Sequence, residues 1–117
     1  MTQRRVAGTI VFPPDARAGR ASRVLVELRD ISVQDAPSRV LASCELKRQT
    51  VGPGLELPFE MSAPEAAPTH SLAVRVQVDM AATRGASGSA PMLLTTAIWP
   101  VPARGDARDL RVTLEQL

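Results

Sequence analysis

Aromatic side chains are scarce in this chain of 117 residues: Tyr is missing, and Phe12, Phe59 and Trp99 are the whole complement. Proteins that grip nucleic acid stack bases on aromatics set along a dense basic stripe, and with neither present nucleic acid is not an expected partner. Cys44 is the only cysteine, which excludes an internal disulfide. His70 is the only histidine, so one Cys and one His fall short of the N and S ligand set of a structural zinc site. Asp30 and Asp35 bracket a turn, but two carboxylates are too few for a calcium loop. No metal and no cofactor is expected. Long apolar runs are absent as well, so no transmembrane segment is expected. The apolar run at residues 6–12 behind Arg4-Arg5 is too short for a twin-arginine leader and stops at Pro13-Pro14. As written, the chain is expected to carry no leader and no lipid-acceptor cysteine near its start.

What is present is aliphatic and frequently interrupted. Hydrophobic residues make up 44% of the chain, and ten prolines and seven glycines punctuate it, which favours short elements over long helices. At this length the expectation is one domain spanning residues 1–117, large enough to bury a core without staples. The pI near 9.5 overstates a net charge of only +2. Residues 1–48 hold nine Lys and Arg against five Asp and Glu, with Arg17, Arg20 and Arg23 expected together in one loop. Solvated surface charge is the plain reading of that cluster.

Period-two alternation recurs along the chain. In Leu72-Ala73-Val74-Arg75-Val76-Gln77-Val78-Asp79-Met80 the large apolar residues fall on one face, the pattern of a half-buried antiparallel strand. The same parity runs through 110–115 and through 55–60, where Pro58 points to an edge position. Residues 6–12, 23–29 and 40–47 supply three more strands and 92–101 the seventh. Cys44, in step with Val40, Ala42 and Leu46, is expected to act as a small buried hydrophobe. Turns are expected at Pro13-Pro14-Asp15, at Asp35-Ala36-Pro37-Ser38 and at Gly52-Pro53-Gly54. Residues 62–69 have room for one helical turn, and 81–91 read as a flexible hairpin tip. The predicted fold is an all-β, seven-stranded antiparallel β-sandwich.

Reactive groups are thin on the ground. Ser71 directly follows His70 and no nucleophile-elbow sequence exists, so His70 reads as a solvated residue at a loop-to-strand junction. Gly85-Ala86-Ser87-Gly88 lacks the flanking residues of a phosphate cradle. Glu56 and Glu60 fall on the outward face of one strand and read as solvated. The informative residues are apolar ones out of step with the alternation: Leu25, Leu41, Leu94, Ile98 and Trp99. If these share a face they form an exposed patch for a partner; if loops or a bulge cover them they are packing residues, and both readings stand at this point. Open sheet edges offer a further way to accept a partner strand.

Several stretches together resemble a known family. Val6-Ala7-Gly8-Thr9-Ile10, then Val26-Glu27-Leu28-Arg29-Asp30-Ile31-Ser32 followed by Asp35-Ala36-Pro37, then Pro58-Phe59-Glu60, and finally Leu94-Thr95-Thr96 with Pro100-Val101 are similar to the pattern of YbaY-type lipoproteins and YscW-type secretion pilotins. The likeness runs from about Val6 to Leu114. It implies a small β-sandwich in the periplasm or outer membrane, although a native start at Met1 would imply the cytoplasm, and it implies that pilotin members assist secretin assembly. No catalytic residue comes with it. The expected function is therefore a non-catalytic binding or chaperone-like module for another protein or peptide segment. A small hydrolase on a transthyretin-like sandwich using His70, or a purely structural envelope domain, are the alternatives.

Overall fold

Alternating sequences make strands because successive side chains point to opposite faces, and burying one face on another sheet removes its apolar surface from water. The computed structural model describes residues 3–33, 38–80, 92–95 and 99–116. Within them the chain is built of β1 (Gln3–Val11), β2 (Gly19–Asp30), β3 (Arg39–Val51), β4 (Glu56–Pro64), β5 (Leu72–Met80), β6 (Met92–Leu94), β7 (Trp99–Val101), β8 (Ala107–Thr113) and β9 (Glu115–Gln116). Two sheets result, a three-stranded one in the order β4-β1-β8 and a six-stranded one in the order β3-β2-β5-β6-β9 with β7 also paired to β5.

All seven expected strands appear, and the count rises because two of them are interrupted. The seventh, expected over 92–101, is present as β6 and β7, and the strand expected over 110–115 continues past Leu114 as the separate β9. One pair departs from the antiparallel expectation: β1 and β8 run parallel, while every other pair among the described residues is antiparallel. Parallel neighbours need a long crossover, and here the crossover runs through β2 to β7, which are five strands of the six-stranded sheet and β4. The helical turn allowed for at 62–69 is absent, because β4 runs on to Pro64 and the return is made by a turn in which the His70 amide donates to the Ala67 carbonyl at 2.9 Å. Arg20 and Arg23 lie on β2 and not in a loop. The turn at Asp35-Ala36-Pro37 and the segment 81–91, which holds Gly85-Ala86-Ser87-Gly88, lie outside the described residues.

The core is aliphatic as expected. Val6, Ile10 and Phe12 from the β1 side face Val24, Val26 and Leu28 of β2 and Val76 and Val78 of β5, all essentially without exposure. Each fully buried side chain of this kind contributes about 1.5–3 kcal/mol. Pro58 pairs with Thr9 on β4, an edge strand of its sheet, where a missing N–H costs no ladder bond. Cys44 is half-buried against the core, and burial pushes its thiol pKa up.

Two local irregularities shape the three-stranded sheet. Between Val6 and Gly8 the register against β8 shifts, so that Ala7 alone stands opposite Arg108 and Asp109. Asp109 takes up a φ of 59°, a left-handed conformation that Asp tolerates better than most residues. The bulge brings β8 down on Gly8, where a Cβ would lie 2.3 Å from the Leu110 carbonyl oxygen and 2.6 Å from Leu110 Cβ. Only glycine fits there.

Candidate functional site

The outward residues of β1 and β4, together with the bulge of β8, enclose a groove of about 400 Å³ on the outer face of the three-stranded sheet. Ala7, Gly8, Pro58 and Phe59 contribute its apolar share, and Arg5, Thr9, Glu60, Arg108 and Asp109 its polar share. Arg5 pairs with Glu60 across the strands, with both side chains more than half exposed, so the pair adds little to stability. The Arg5 amide donates to Asp106 Oδ1 at 2.9 Å, and Arg108 donates to Asp106 Oδ2 at 3.3 Å. These bonds, the Arg5 amide foremost, hold the Asp106 carboxyl below the usual carboxylate range. One wall of the groove is thus fixed by hydrogen bonds, and the groove offers a segment both charge signs and an apolar strip.

Behind the groove, on the inward face of β1, Arg4 is 96% buried with its parity partners Val6 and Ile10 (relative exposure 4%). Its Nη1 donates to the Pro102 carbonyl and, at 3.1 Å, to the Gly105 carbonyl. Glu65 accepts from the Gly105 amide at 3.2 Å, and the Ala66 amide donates to Ala103 at 2.8 Å, so the loop entering β8 is tied from two sides. Arg4 Nε and Nη2 are buried without partners among the described residues. Burial pushes the guanidinium pKa down against the opposing pull of Glu65 and Asp106.

His70 meets a carboxylate but no waiting hydroxyl. Its Nδ1 stands 2.7 Å from Asp30 Oδ2, while the Ser32 hydroxyl and amide both donate to Asp30 Oδ1. The Ser32 oxygen also accepts from the Ser71 amide at 2.8 Å. A nucleophile would need its hydroxyl on the far imidazole nitrogen, and among the described residues none is bonded there. The group is a knot joining the end of β2 to the start of β5. Its bonds, those from Ser32 first, lower the Asp30 pKa to about 2. Because this is below the unfolded value near ~3.9, the knot stabilises the fold fully above about pH 4 and fades as pH falls toward 2. A carboxyl-carbon titration should find Asp30 depressed in wild type, markedly raised in Ser32→Ala and only slightly raised in His70→Ala. The reverse order would reject this assignment of causes.

The structure distributes the apolar residues singled out in the sequence. Leu25 and Leu94 stand on one face of the six-stranded sheet, each paired to Gln77 of β5 from opposite sides. Leu41 and Trp99 are half-buried against the core instead. Trp99 lines a slot of about 40 Å³ with Val74, Pro100, Leu110, Arg111 and Val112, and its Nε1 is buried without a partner among the described residues. Ile98 lies outside the described residues. The groove itself was not legible, since its lining comes from three strands far apart in sequence; the parity of Arg4 with Val6, Ile10 and Phe12 was legible and points it inward. Among the described residues there is no cluster of three or more His, Cys, Asp or Glu placed to hold a metal, and no helix long and apolar enough to cross a membrane.

Comparison with known proteins adds three findings. A family model described as type III secretion system lipoprotein chaperone (YscW) matches residues 1–97. A solved structure, that of an alternative pilotin from the type II secretion system of Vibrio cholerae, is 18% identical, with 97% of this chain and 98% of that chain covered and a TM-score of 0.69. At that identity the likeness speaks for the fold. The comparison with curated proteins gave no match.

Proposed function

The chain belongs to the YscW family of type III secretion system lipoprotein chaperones, and on that premise we propose that it is a non-catalytic module that holds a segment of a secretion-system protein in the bacterial envelope. The partner class proposed is a secretin, in keeping with the part pilotins play, and the setting is the periplasm or the outer membrane. The observation that carries the reading is the groove over β1, β4 and β8: a concavity of about 400 Å³ with an apolar strip, charges of both signs and a wall braced by Asp106. A volume in that range suits a few side chains of a docked segment. The reading as a binding module also accords with the Asp30–His70 knot, in which the Ser32 hydroxyl donates to the carboxylate.

The test fills the groove from outside the core. Thr9, half-exposed on the outer face, is replaced by Trp, and peptides tiled along the secretin of the same host are titrated against both proteins. Thr9→Trp should bind at least about tenfold more weakly, ~1.4 kcal/mol, with an unchanged thermal midpoint. Trp99→Ala and Leu25→Arg serve as the parallel arm. Full binding by Thr9→Trp together with loss in either of these would move the seat to the residues first marked in the sequence.

A further inference from the structure

The far side of the sandwich carries a second feature that the groove does not explain. Arg20 and Arg23 are three residues apart on β2, and a regular strand would turn them to opposite faces. A register shift against β5 between Ala21 and Arg23 restores both to the outer face, with Ala21 and Val24 buried beneath. Facing it on β3, Arg48 takes up a φ of 56°, uncommon for a side chain of its size. This second irregularity does the same for Lys47 and Thr50, which pair with Arg23 and Arg20. Arg20, Lys47 and Arg48 are exposed and have no ion-pair partner among the described residues. Arg23 is neutralised by Asp79 at 2.7 Å, and Glu45 is the other carboxylate on that part of the face.

Matched irregularities on two neighbouring strands, one of them strained, thus gather cations on a sheet face where regular pairing would scatter them. Strain of this kind points toward use. We propose that this corner is a contact for an anionic phospholipid surface. The groove and the Trp99 slot both lie elsewhere. Phe12 and Phe59 are buried and Trp99 packs on the core, so nothing stacks a base. A plane of phosphates instead needs only cations that reach one level together, and cross-strand neighbours about 5 Å apart supply that. The corner lies on the outer face of the six-stranded sheet and the groove on that of the three-stranded sheet, so the two can be engaged at once. The inference rests on this face alone and stands or falls independently of the proposed partner.

Vesicle flotation of the full chain tests it, using phosphatidylcholine vesicles with and without about one third phosphatidylglycerol. Binding is expected only with phosphatidylglycerol, and it should fade as salt is raised toward about 0.5 M. Arg20→Gln/Lys47→Gln/Arg48→Asn, in which Asn tolerates the positive φ, should bind on the order of tenfold or more weakly. Arg39→Gln/Arg104→Gln, two exposed cations elsewhere, should bind as wild type does. Equal binding to pure phosphatidylcholine, no binding to either vesicle, insensitivity to salt, or equal loss in both variants would each overturn the proposal. So would tighter binding to a poly-glutamate peptide than to the anionic vesicles.

Discussion

Replacing Gly8 with alanine is expected to cost at least ~3 kcal/mol and to lower the thermal midpoint by about 10–20 °C. The added methyl would sit 2.3 Å from the Leu110 carbonyl oxygen and 2.8 Å from its carbonyl carbon, both backbone atoms. A side-chain tip can rotate away from such an approach, whereas a paired strand has to move as a unit. Relief therefore means opening the β1–β8 ladder, which loosens the bulge at Arg108 and Asp109 and the groove with it. Gly54→Ala is the control. Gly54 has a φ of +68° but open space around its Cβ, so that change costs only the backbone preference, about 1 kcal/mol. Thermal melts of the two variants decide it: if Gly8→Ala is no worse than Gly54→Ala, the close contact is not a real constraint.

Arg4→Ala is expected to be nearly as damaging, at about 2–4 kcal/mol, because it opens a cavity and leaves the Pro102 and Gly105 carbonyls without their donor. Arg4→Met makes the informative comparison. It keeps most of the packing volume and removes the two buried N–H groups that have no partner, so its loss should be less than half that of the alanine variant. Denaturant titrations of both proteins measure the difference. Equal losses would mean that the hydrogen bonds to the loop, and not the fill of the side chain, carry the whole contribution.

These two positions also mark what can be read from a sequence and what cannot. Strands such as Leu72–Met80 were legible because burial on one face writes a two-residue period into the chain, and the buried set Leu72, Val74, Val76, Val78 and Met80 follows it. The edge position of Pro58 was legible from its missing donor. The parallel pairing of β1 with β8 was not, since strand direction depends on which distant segment comes to lie alongside. The bulges at Arg108-Asp109 and at Arg23 were hidden for the same reason: an extra residue shows only when two registers are laid side by side. The likeness to pilotins carried the family correctly, while the candidate patch mixed two kinds of position. Leu25 and Leu94 sit on an outer face, whereas Leu41 packs on the core at the register shift between β2 and β3, and Trp99 packs on it from regular pairing opposite Val74.

One consequence follows from the company β1 keeps. Its partner β8 follows far along the chain, Val6 pairing with Ala107, and closing a contact over so long a separation is entropically slow. Until that strand arrives, the Arg4 guanidinium has no loop to tie and the bulge that walls the groove does not exist. The groove is therefore only half built until β8 has emerged and docked.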